Sequence, residues 1–140
     1  MTSNEGVAQQ PAIAAAIITH GRKVLLVKRR VSEGQLSWQF PAGAIEKDES
    51  AETAAVREAR EETGLIVEAG SLLGERTHPS TGRVMVYVAC RVVVGHADAY
   101  VGDTEELSDL AWSSLDDLAD YVPHGLFEPV QQHLNITLAE

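Results

Sequence analysis

The residues from 43 to 65 constrain the fold of this chain more than any other stretch, because they order helix-forming and helix-ending residues in one run. The alanines in it have strong helix propensity: Ala51, Ala54, Ala55 and Ala59. Before them, Asp48 or Ser50 can accept a hydrogen bond from an unpaired N–H of the first turn. After them, Gly64 suits the left-handed residue that often ends a helix. The stretch therefore predicts a helix that begins near residue 50 and ends at residue 64.

Three glutamates of this helix share one face. Glu58, Glu61 and Glu62 lie at positions i, i+3 and i+4. Like charges at this spacing oppose each other by about 0.2–0.5 kcal/mol per pair. One interpretation is a solvated acidic surface; the other is a cation site, which Arg57 and Arg60 flank without interrupting. Because carboxylates suit Mg²⁺ and Mn²⁺, the face predicts a divalent-metal site.

The same stretch resembles the signature of the Nudix hydrolases, G-x5-E-x7-R-E-U-x-E-E-x-G-U, where U is aliphatic. The matching residues are Gly43, Glu49, Arg57, Glu58, Glu61, Glu62, Gly64 and Leu65. Ala59 is a mild departure from the signature, since the family usually has a larger aliphatic residue at this position. The resemblance implies an α/β (α+β) Nudix fold, a mixed β-sheet sandwiched between helices. It also implies Mg²⁺-dependent hydrolysis of a nucleoside diphosphate linked to another group, and Mn²⁺ can substitute.

Length and charge limit the classes of protein. At 140 residues, with 44% hydrophobic and 23% charged residues, the chain has the size and composition of one globular domain. We expect a flexible N-terminal segment at residues 1–10 and a single Nudix hydrolase domain at 11–140. A net charge of −10 argues against nucleic-acid partners and against docking on an anionic membrane. A phosphate substrate remains compatible, because a bound metal ion reverses the local charge.

The cysteine and the hydropathy pattern indicate the compartment. Cys90 is the single cysteine, so it forms no intrachain disulfide, and its apolar neighbours predict a buried structural thiol. No apolar run approaches the roughly 18 residues of a membrane span, and the N-terminus lacks a signal-peptide pattern. These features predict a cytoplasmic protein.

Apolar runs outside the helix predict the sheet. Residues 11–19 and 23–28, joined by a turn at 20–22, predict a hairpin whose strands are covered on both faces. Further strands are expected at 36–40, 66–75, 84–94 and 110–112, and further helices at 115–121, capped by Ser114, and at 127–134.

Residues 36–43 lead into the acidic helix. In a strand over 36–40, Trp38 and Phe40 share one face and Gln39 takes the other. The residues 41–43 (Pro-Ala-Gly) are expected to turn the chain and to bring backbone close to the helix. In the Nudix family a carbonyl just before the glycine is a metal ligand, which implies the carbonyl of Ala42.

Within the family the chain looks most like the MutT-type branch, through residues 28–30 (KRR), 38–43 (WQFPAG) and 128–130 (EPV). By this resemblance the metal ligands are Ala42, Glu58, Glu61, Glu62 and Glu106, and the catalytic residues are Arg57, Glu58, Glu61 and Glu106. Glu105 is the alternative to Glu106 as the glutamate of this loop that reaches the metal. The general base stays open between Glu58 and Glu106. Arg57 is expected to orient carboxylates by pairing with Glu49 or Glu61.

The signature stretch (residues 43–65) is called the Nudix box below. The substrate-binding residues are expected outside this box: Arg29, Arg30, Trp38, Gln39, Phe40, Arg83 and Phe127. The arginines at 29 and 30 are either a solvated strand end or a cationic clamp for phosphate. Residues 76–83 are either a surface hairpin or a substrate loop. Phe127 replaces the Asn with which MutT-type enzymes read oxidised guanine; it can stack on a base but cannot pair with its edge.

Three functions therefore stay open. The first is hydrolysis of a (deoxy)nucleoside triphosphate, and the second is hydrolysis of ADP-ribose or a nucleotide sugar, for which a proline near the position of Pro79 is typical. The third is a Nudix module that binds a nucleotide without turnover, although such modules usually lose box carboxylates that are present here. Many family members dimerise, so a homodimer is a further expectation.

Overall fold

The computed structural model describes residues 10–30, 38–79, 81–93 and 98–139. Its strands are β1 (Ile13–His20), β2 (Lys23–Arg29), β3 (Trp38–Gln39), β4 (Ala42–Ala44), β5 (Val67–Thr77), β6 (Val84–Val92) and β7 (Leu107–Ser114). Its helices are α1 (Ala51–Thr63), α2 (Leu118–Tyr121) and α3 (Glu128–Thr137).

Strand β1 is the centre of a mixed sheet. It pairs in parallel with β6 along its length, and β6 pairs antiparallel with β5. It pairs with β2 only near their turn, where Thr19 and His20 face Val24 and Lys23. Strand β2 then leaves β1 and pairs with β3 and β7 instead. The edge of β1 that β2 leaves is taken by β4.

Helices cover both faces of the sheet. The residues of β1 alternate between the two sides, as the period of a strand requires. Ala14, Ala16 and Ile18 pack with α1, whereas Ala15 and Ile17 pack with α2 and α3. The predicted arrangement, a mixed sheet sandwiched between helices, is confirmed. Among the described residues, no helix has the length and apolarity needed to cross a membrane.

Helix α1 begins and ends for the local reasons that its sequence suggests. The Ser50 Oγ accepts a hydrogen bond from the Thr53 N–H at 3.0 Å, so Ser50, and not Asp48, is the N-cap. Gly64 has a φ of 75° and its N–H donates to the Arg60 carbonyl at 2.9 Å. The buried Ala54 lets the helix approach the sheet closely, because a methyl group occupies little space.

The prediction that residues 41–43 turn the chain is wrong. Ala42–Ala44 form the extended strand β4, whose residues face Ala15, Ala14 and Ile13 of β1. The physical reason is that β1 has no pairing with β2 before Thr19, so the buried N–H and C=O groups on that edge need another strand. The Ala16 N–H likewise donates to the Pro41 carbonyl at 2.8 Å.

Several element boundaries also differ from the predictions. Strand β7 starts at Leu107 rather than at residue 110, because it pairs with β2 over its whole length. Helix α2 starts at Leu118 rather than at residue 115, and the Ser114 Oγ instead accepts the Asp117 N–H of a preceding turn at 3.2 Å. Helix α3 continues to Thr137. Residues 1–9, 36–37 and 94, which were included in predicted segments, lie outside the described residues.

Candidate active site

The backbone of β4 lies directly against a carboxylate of α1. A Cβ atom on Gly43 would overlap the carboxylate of Glu58, with all three of its terminal atoms too close for a real contact. Glycine is therefore required here by space, because the Glu58 carboxylate occupies the volume where a side chain would project.

Glu62 is the most buried carboxylate of the helix. Its residue is 7% exposed, and its Oε1 accepts the Ala42 N–H at 3.3 Å. Burial, together with the nearby charge of Glu58, raises the pKa of Glu62 to about 8. Burial also raises the pKa of Glu58, while its hydrogen bond from Arg57 acts in the opposite direction. A cation bound near Glu58 and Glu62 would therefore stabilise the charged form of both carboxylates.

Arg57 joins the box into one network. Its Nε and Nη2 donate to the two carboxylate oxygens of Glu49, each at 2.8 Å, and its Nη1 donates to Glu58 at 2.8 Å. The Nη2 also donates to the Ala44 carbonyl of β4 at 3.0 Å. The paired hydrogen bonds lower the pKa of Glu49 to about 2. Arg57 thus fixes Glu58 relative to both β4 and the start of α1.

Glu61 differs from its two neighbours. Its side chain is 59% exposed, and its Oε1 lies 3.4 Å from Arg57 Nη1. The side chain of Glu58, by contrast, is 13% exposed. The expected single face thus contains one carboxylate in solvent and two that are held against β4.

Glu106 reaches the same cluster from the other end of the chain. Its Oε1 lies 3.1 Å from Arg29 Nη1, and Arg29 Nε donates to Gln39 Oε1 at 3.3 Å. The charge of Glu106 contributes to the raised pKa of Glu62, whereas Arg29 opposes it. The charge of Glu106 thus acts on the cluster, and the choice between Glu106 and Glu105 as a metal ligand stays a prediction. Glu105 lines the same cavity.

A crossing segment (residues 98–106) runs over the end of α1 before β7. The N–H groups of Tyr100 and Gly102 donate to the carbonyls of Thr63 and Glu62 at 2.9 and 2.8 Å. A Cβ on Gly102 would overlap the carbonyl of Glu61, which explains the glycine. The segment thereby ties the backbone of the carboxylate helix to the loop that carries Glu106.

Arg30 serves this segment rather than the cavity. Its Nε donates to the Thr104 carbonyl at 2.7 Å, and its N–H donates to the Glu106 carbonyl at 2.6 Å. Arg30 is not among the described residues that line the cavity, whereas Arg29 is, so the two side chains do not form the expected pair there.

A cavity of about 600 Å³ opens beside β4 and extends across the sheet face below α3. The residues predicted to form the site that line it are Arg29, Trp38, Gln39, Phe40, Ala42, Arg83, Glu106 and Phe127. Gly43 also lines it, so the cavity reaches the strand against which the Glu58 carboxylate lies, although Glu58, Glu61 and Glu62 are not among its described lining residues. The structure thus brings the expected substrate residues, except Arg30, together with two of the expected metal ligands, Ala42 and Glu106.

An aromatic group forms the wall of this cavity. The rings of Tyr87 and Phe127 lie 5.1 Å apart, and the Arg76 guanidinium lies 4.9 Å from the Phe127 ring. Gly74, opposite Tyr87 in the sheet, has a φ of 149°, and a Cβ there would come within 3.2 Å of the Phe127 ring. Trp38 contacts Tyr121 edge-on at 4.9 Å.

Sequence reasoning missed the contribution of Tyr87, and it considered Arg76 only as part of a possible substrate loop at residues 76–83. The available signal was the alternation of β6, which puts Tyr87 and Met85 on the cavity face. Their partners on β5, however, depend on register shifts between Ala69 and Gly74, which no local pattern reveals.

The donor set fits a hard divalent cation, since it consists of carboxylate oxygens around a glycine backbone and its two buried members have raised pKa values. In the part of the chain that the structure describes, no three acidic, histidine or cysteine side chains are already gathered closely enough to hold an ion. Ligation by Ala42, Glu58, Glu61, Glu62 and Glu106 therefore stays a prediction.

The sequence profile of the NUDIX domain family matches residues 8–133. The chain belongs to the NUDIX domain family. It is a Nudix hydrolase of MutT-like type. Members of this family are pyrophosphohydrolases, and they generally use a divalent metal ion such as Mg²⁺.

Named relatives agree with this placement. The Nudix hydrolase is 32% identical over 110 residues to the CTP pyrophosphohydrolase of Escherichia coli, covering 78% of this chain and 79% of that protein. It is 35% identical over 113 residues to the ADP-ribose pyrophosphatase of Methanocaldococcus jannaschii, covering 78% and 67% of the two chains. The MutT NUDIX hydrolase of Burkholderia pseudomallei superposes with a TM-score of 0.67 at 26% identity, covering 91% and 97%.

Proposed function

We propose that this Nudix hydrolase cleaves a phosphoanhydride bond of a (deoxy)nucleoside triphosphate, releasing a nucleoside monophosphate and pyrophosphate. The observation that carries the proposal is the continuity of one cavity, which has the Glu106 carboxylate and Gly43 at one end and the Phe127 ring at the other. Its volume of about 600 Å³ lies within the usual range for small-molecule sites, about 300–1,000 Å³.

The carboxylate end suits phosphate chemistry. The residues proposed to hold Mg²⁺ are Glu58, Glu61, Glu62, Glu106 and the Ala42 carbonyl; Mn²⁺ can replace it. When bound, such an ion neutralises phosphate oxygens and lowers the pKa of the attacking water. Glu58 or Glu106 accepts the proton of that water. Arg57 keeps Glu58 aimed, because its hydrogen bonds to Glu49 and Ala44 fix the guanidinium.

The remaining cavity residues suit a nucleoside. Arg29 lies between Gln39 and Glu106, at the boundary of the two ends, where it can contact a phosphate oxygen. Phe127 and Trp38 offer ring surfaces on which a base stacks. The relative named CTP pyrophosphohydrolase supports a nucleoside triphosphate as the substrate.

A second candidate is hydrolysis of ADP-ribose or a nucleotide sugar. It is favoured by the relative named ADP-ribose pyrophosphatase and by the cationic side chain of Arg83, which lines the cavity and could contact a distal group. A third, the non-catalytic module, is disfavoured by the intact signature, in which Glu58 is held beside Gly43 and Glu62 accepts the Ala42 N–H.

A release assay with Mg²⁺ separates these functions. The purified chain is incubated with nucleoside triphosphates, ADP-ribose, nucleotide sugars and dinucleoside polyphosphates, and pyrophosphate or phosphatase-sensitive monophosphate is measured. We expect pyrophosphate from at least one nucleoside triphosphate, with kcat/KM above that for ADP-ribose. The reverse order would establish the second candidate, and absence of turnover with both Mg²⁺ and Mn²⁺ would establish the third.

The proposal places the enzyme in the cytoplasm, with a free nucleotide as its partner and without nucleic acid or membrane. The net charge of −10 supports this choice of partners. A homodimer is part of the proposal only as a family expectation, and sedimentation velocity tests it.

A further inference from the structure

Arg76 lies against the aromatic wall of the cavity. Its guanidinium carbon lies 4.9 Å from the centre of the Phe127 ring and 5.8 Å from that of the Tyr87 ring. Its Nε donates to the Tyr87 hydroxyl at 3.2 Å. Because Tyr87 is 4% exposed, this hydrogen bond ties one edge of the guanidinium to a buried side chain.

The other end of the guanidinium is available to a ligand. With Nε bound, the two terminal nitrogens Nη1 and Nη2 are the remaining donors, and no described residue accepts from them. Arg76 lines the cavity. The chain thus presents a rigid pair of N–H donors beside the surface on which a base would stack.

No carboxylate is paired with Arg76 among the described residues that line the cavity. Arg83 lines the same cavity; its Nη2 donates to the Pro11 carbonyl at 2.7 Å, and its buried Nε has no hydrogen-bond partner in the described part of the chain. The carboxylates among the described lining residues are Glu105 and Glu106, and Glu106 is paired with Arg29 at the other end. A ligand group at Arg76 therefore has to bring acceptors.

We infer that Arg76 determines base specificity by donating two N–H groups to adjacent acceptors on the base edge, so that guanine or cytosine is preferred over adenine. This inference rests on the proposed nucleotide substrate. A guanidinium matches the O6 and N7 atoms of guanine, and cytosine presents the neighbouring acceptors O2 and N3. Adenine places the N6 donor beside its N7 acceptor, a pattern that suits Asn or Gln. Phe127 supplies stacking but no edge recognition, so Arg76 supplies what Phe127 cannot.

The test compares kcat/KM for dGTP, dCTP and dATP in the wild type and in two substitutions. We expect the wild type to prefer dGTP or dCTP over dATP by about tenfold or more. Arg76→Lys keeps the charge but loses the planar pair of donors, so it should reduce the favoured base by about tenfold and leave dATP nearly unchanged. Arg76→Gln should shift the preference towards dATP.

The matched control is Arg91→Lys, since Arg91 is paired with Glu68 on the surface and is 77% exposed. Thermal melting of each variant shows whether loss of the Tyr87 contact unfolds the protein. A loss that is equal for all bases, or a wild type that prefers dATP, overturns the inference.

A binding measurement separates this inference from the proposed function. Calorimetric titration with GMP, CMP and AMP needs no turnover. Tighter binding of GMP or CMP than of AMP, abolished by Arg76→Lys, upholds the role of Arg76 even if no triphosphate is hydrolysed. Equal affinities for the three monophosphates, unchanged in Arg76→Lys, overturn it even if triphosphates are hydrolysed.

Discussion

The carboxylate helix and the aromatic wall of the cavity are assembled in different ways. In the first, Arg57 finds Glu58, Glu49 and the Ala44 carbonyl within 13 positions of itself. In the second, Arg76, Tyr87 and Phe127 meet from β5, β6 and the start of α3. Local assembly places the proposed reaction chemistry in a compact sequence motif. Distant assembly means that the proposed substrate contacts can change without a change in that motif.

The largest expected effect lies in the carboxylate helix. Glu58→Gln removes a charge held against Gly43 while keeping the shape of the side chain, and should lower kcat by about 100-fold or more. The fold should persist, because the substitution relieves repulsion with Glu62. Steady-state kinetics with Mg²⁺ and thermal melting measure the two effects. The surface variant Glu68→Gln is the control, and near-normal turnover in Glu58→Gln would refute the assignment of Glu58.

A smaller effect is expected from the backbone side of the same site. Gly43→Ala places a methyl group in the volume of the Glu58 carboxylate and should displace it, lowering kcat by about tenfold and weakening Mn²⁺ binding. Gly70→Ala is the matched control, because its Cβ would make an ordinary 3.4 Å contact with the Ala89 carbonyl. Equal kinetics and equal Mn²⁺ affinity in the two variants would show that the close approach is irrelevant to function.

The aromatic wall should respond in KM rather than in kcat. Phe127→Leu keeps an apolar side chain but removes the ring, and because base stacking contributes about 1–3 kcal/mol, we expect KM to rise about tenfold. The two substitutions are compared because Phe127→Leu should affect substrate binding, and Glu58→Gln should affect the chemical step. A fall in kcat at unchanged KM would contradict that separation.

The smallest effect concerns the crossing segment (residues 98–106), which links the two regions. Arg30→Met removes the hydrogen bond to the Thr104 carbonyl and should lower kcat about threefold by loosening Glu106. If Arg30 acts through Glu106, Arg30→Met should add nothing in a Glu106→Gln background. Arg91→Met is the control for loss of an arginine. Additive losses would instead indicate an independent role for Arg30, such as the phosphate clamp.

The sequence was most informative where the determinants are local. The helix end at Gly64 follows from residues a few positions apart, and the structure has it. The sequence narrowed the cap to Asp48 or Ser50 and the partner of Arg57 to Glu49 or Glu61, and the structure has Ser50 as the cap and Glu49 as the two-bond partner. The sequence was less informative where a segment depends on its neighbours in space. The turn expected at residues 41–43 is a strand because β1 needs a partner there, and that need arises only once β2 diverges.

The amino-acid sequence alone determined the family, the carboxylate helix and the alternation of β1 between two helical layers, because capping and the periods of helix and strand act over a few residues. Only the tertiary structure decided which glutamates are desolvated, that Arg30 serves the crossing segment, and that Arg76 lies on Phe127. These outcomes depend on strand register and on the bulges between Ala69 and Gly74, which are set by packing across the whole sheet.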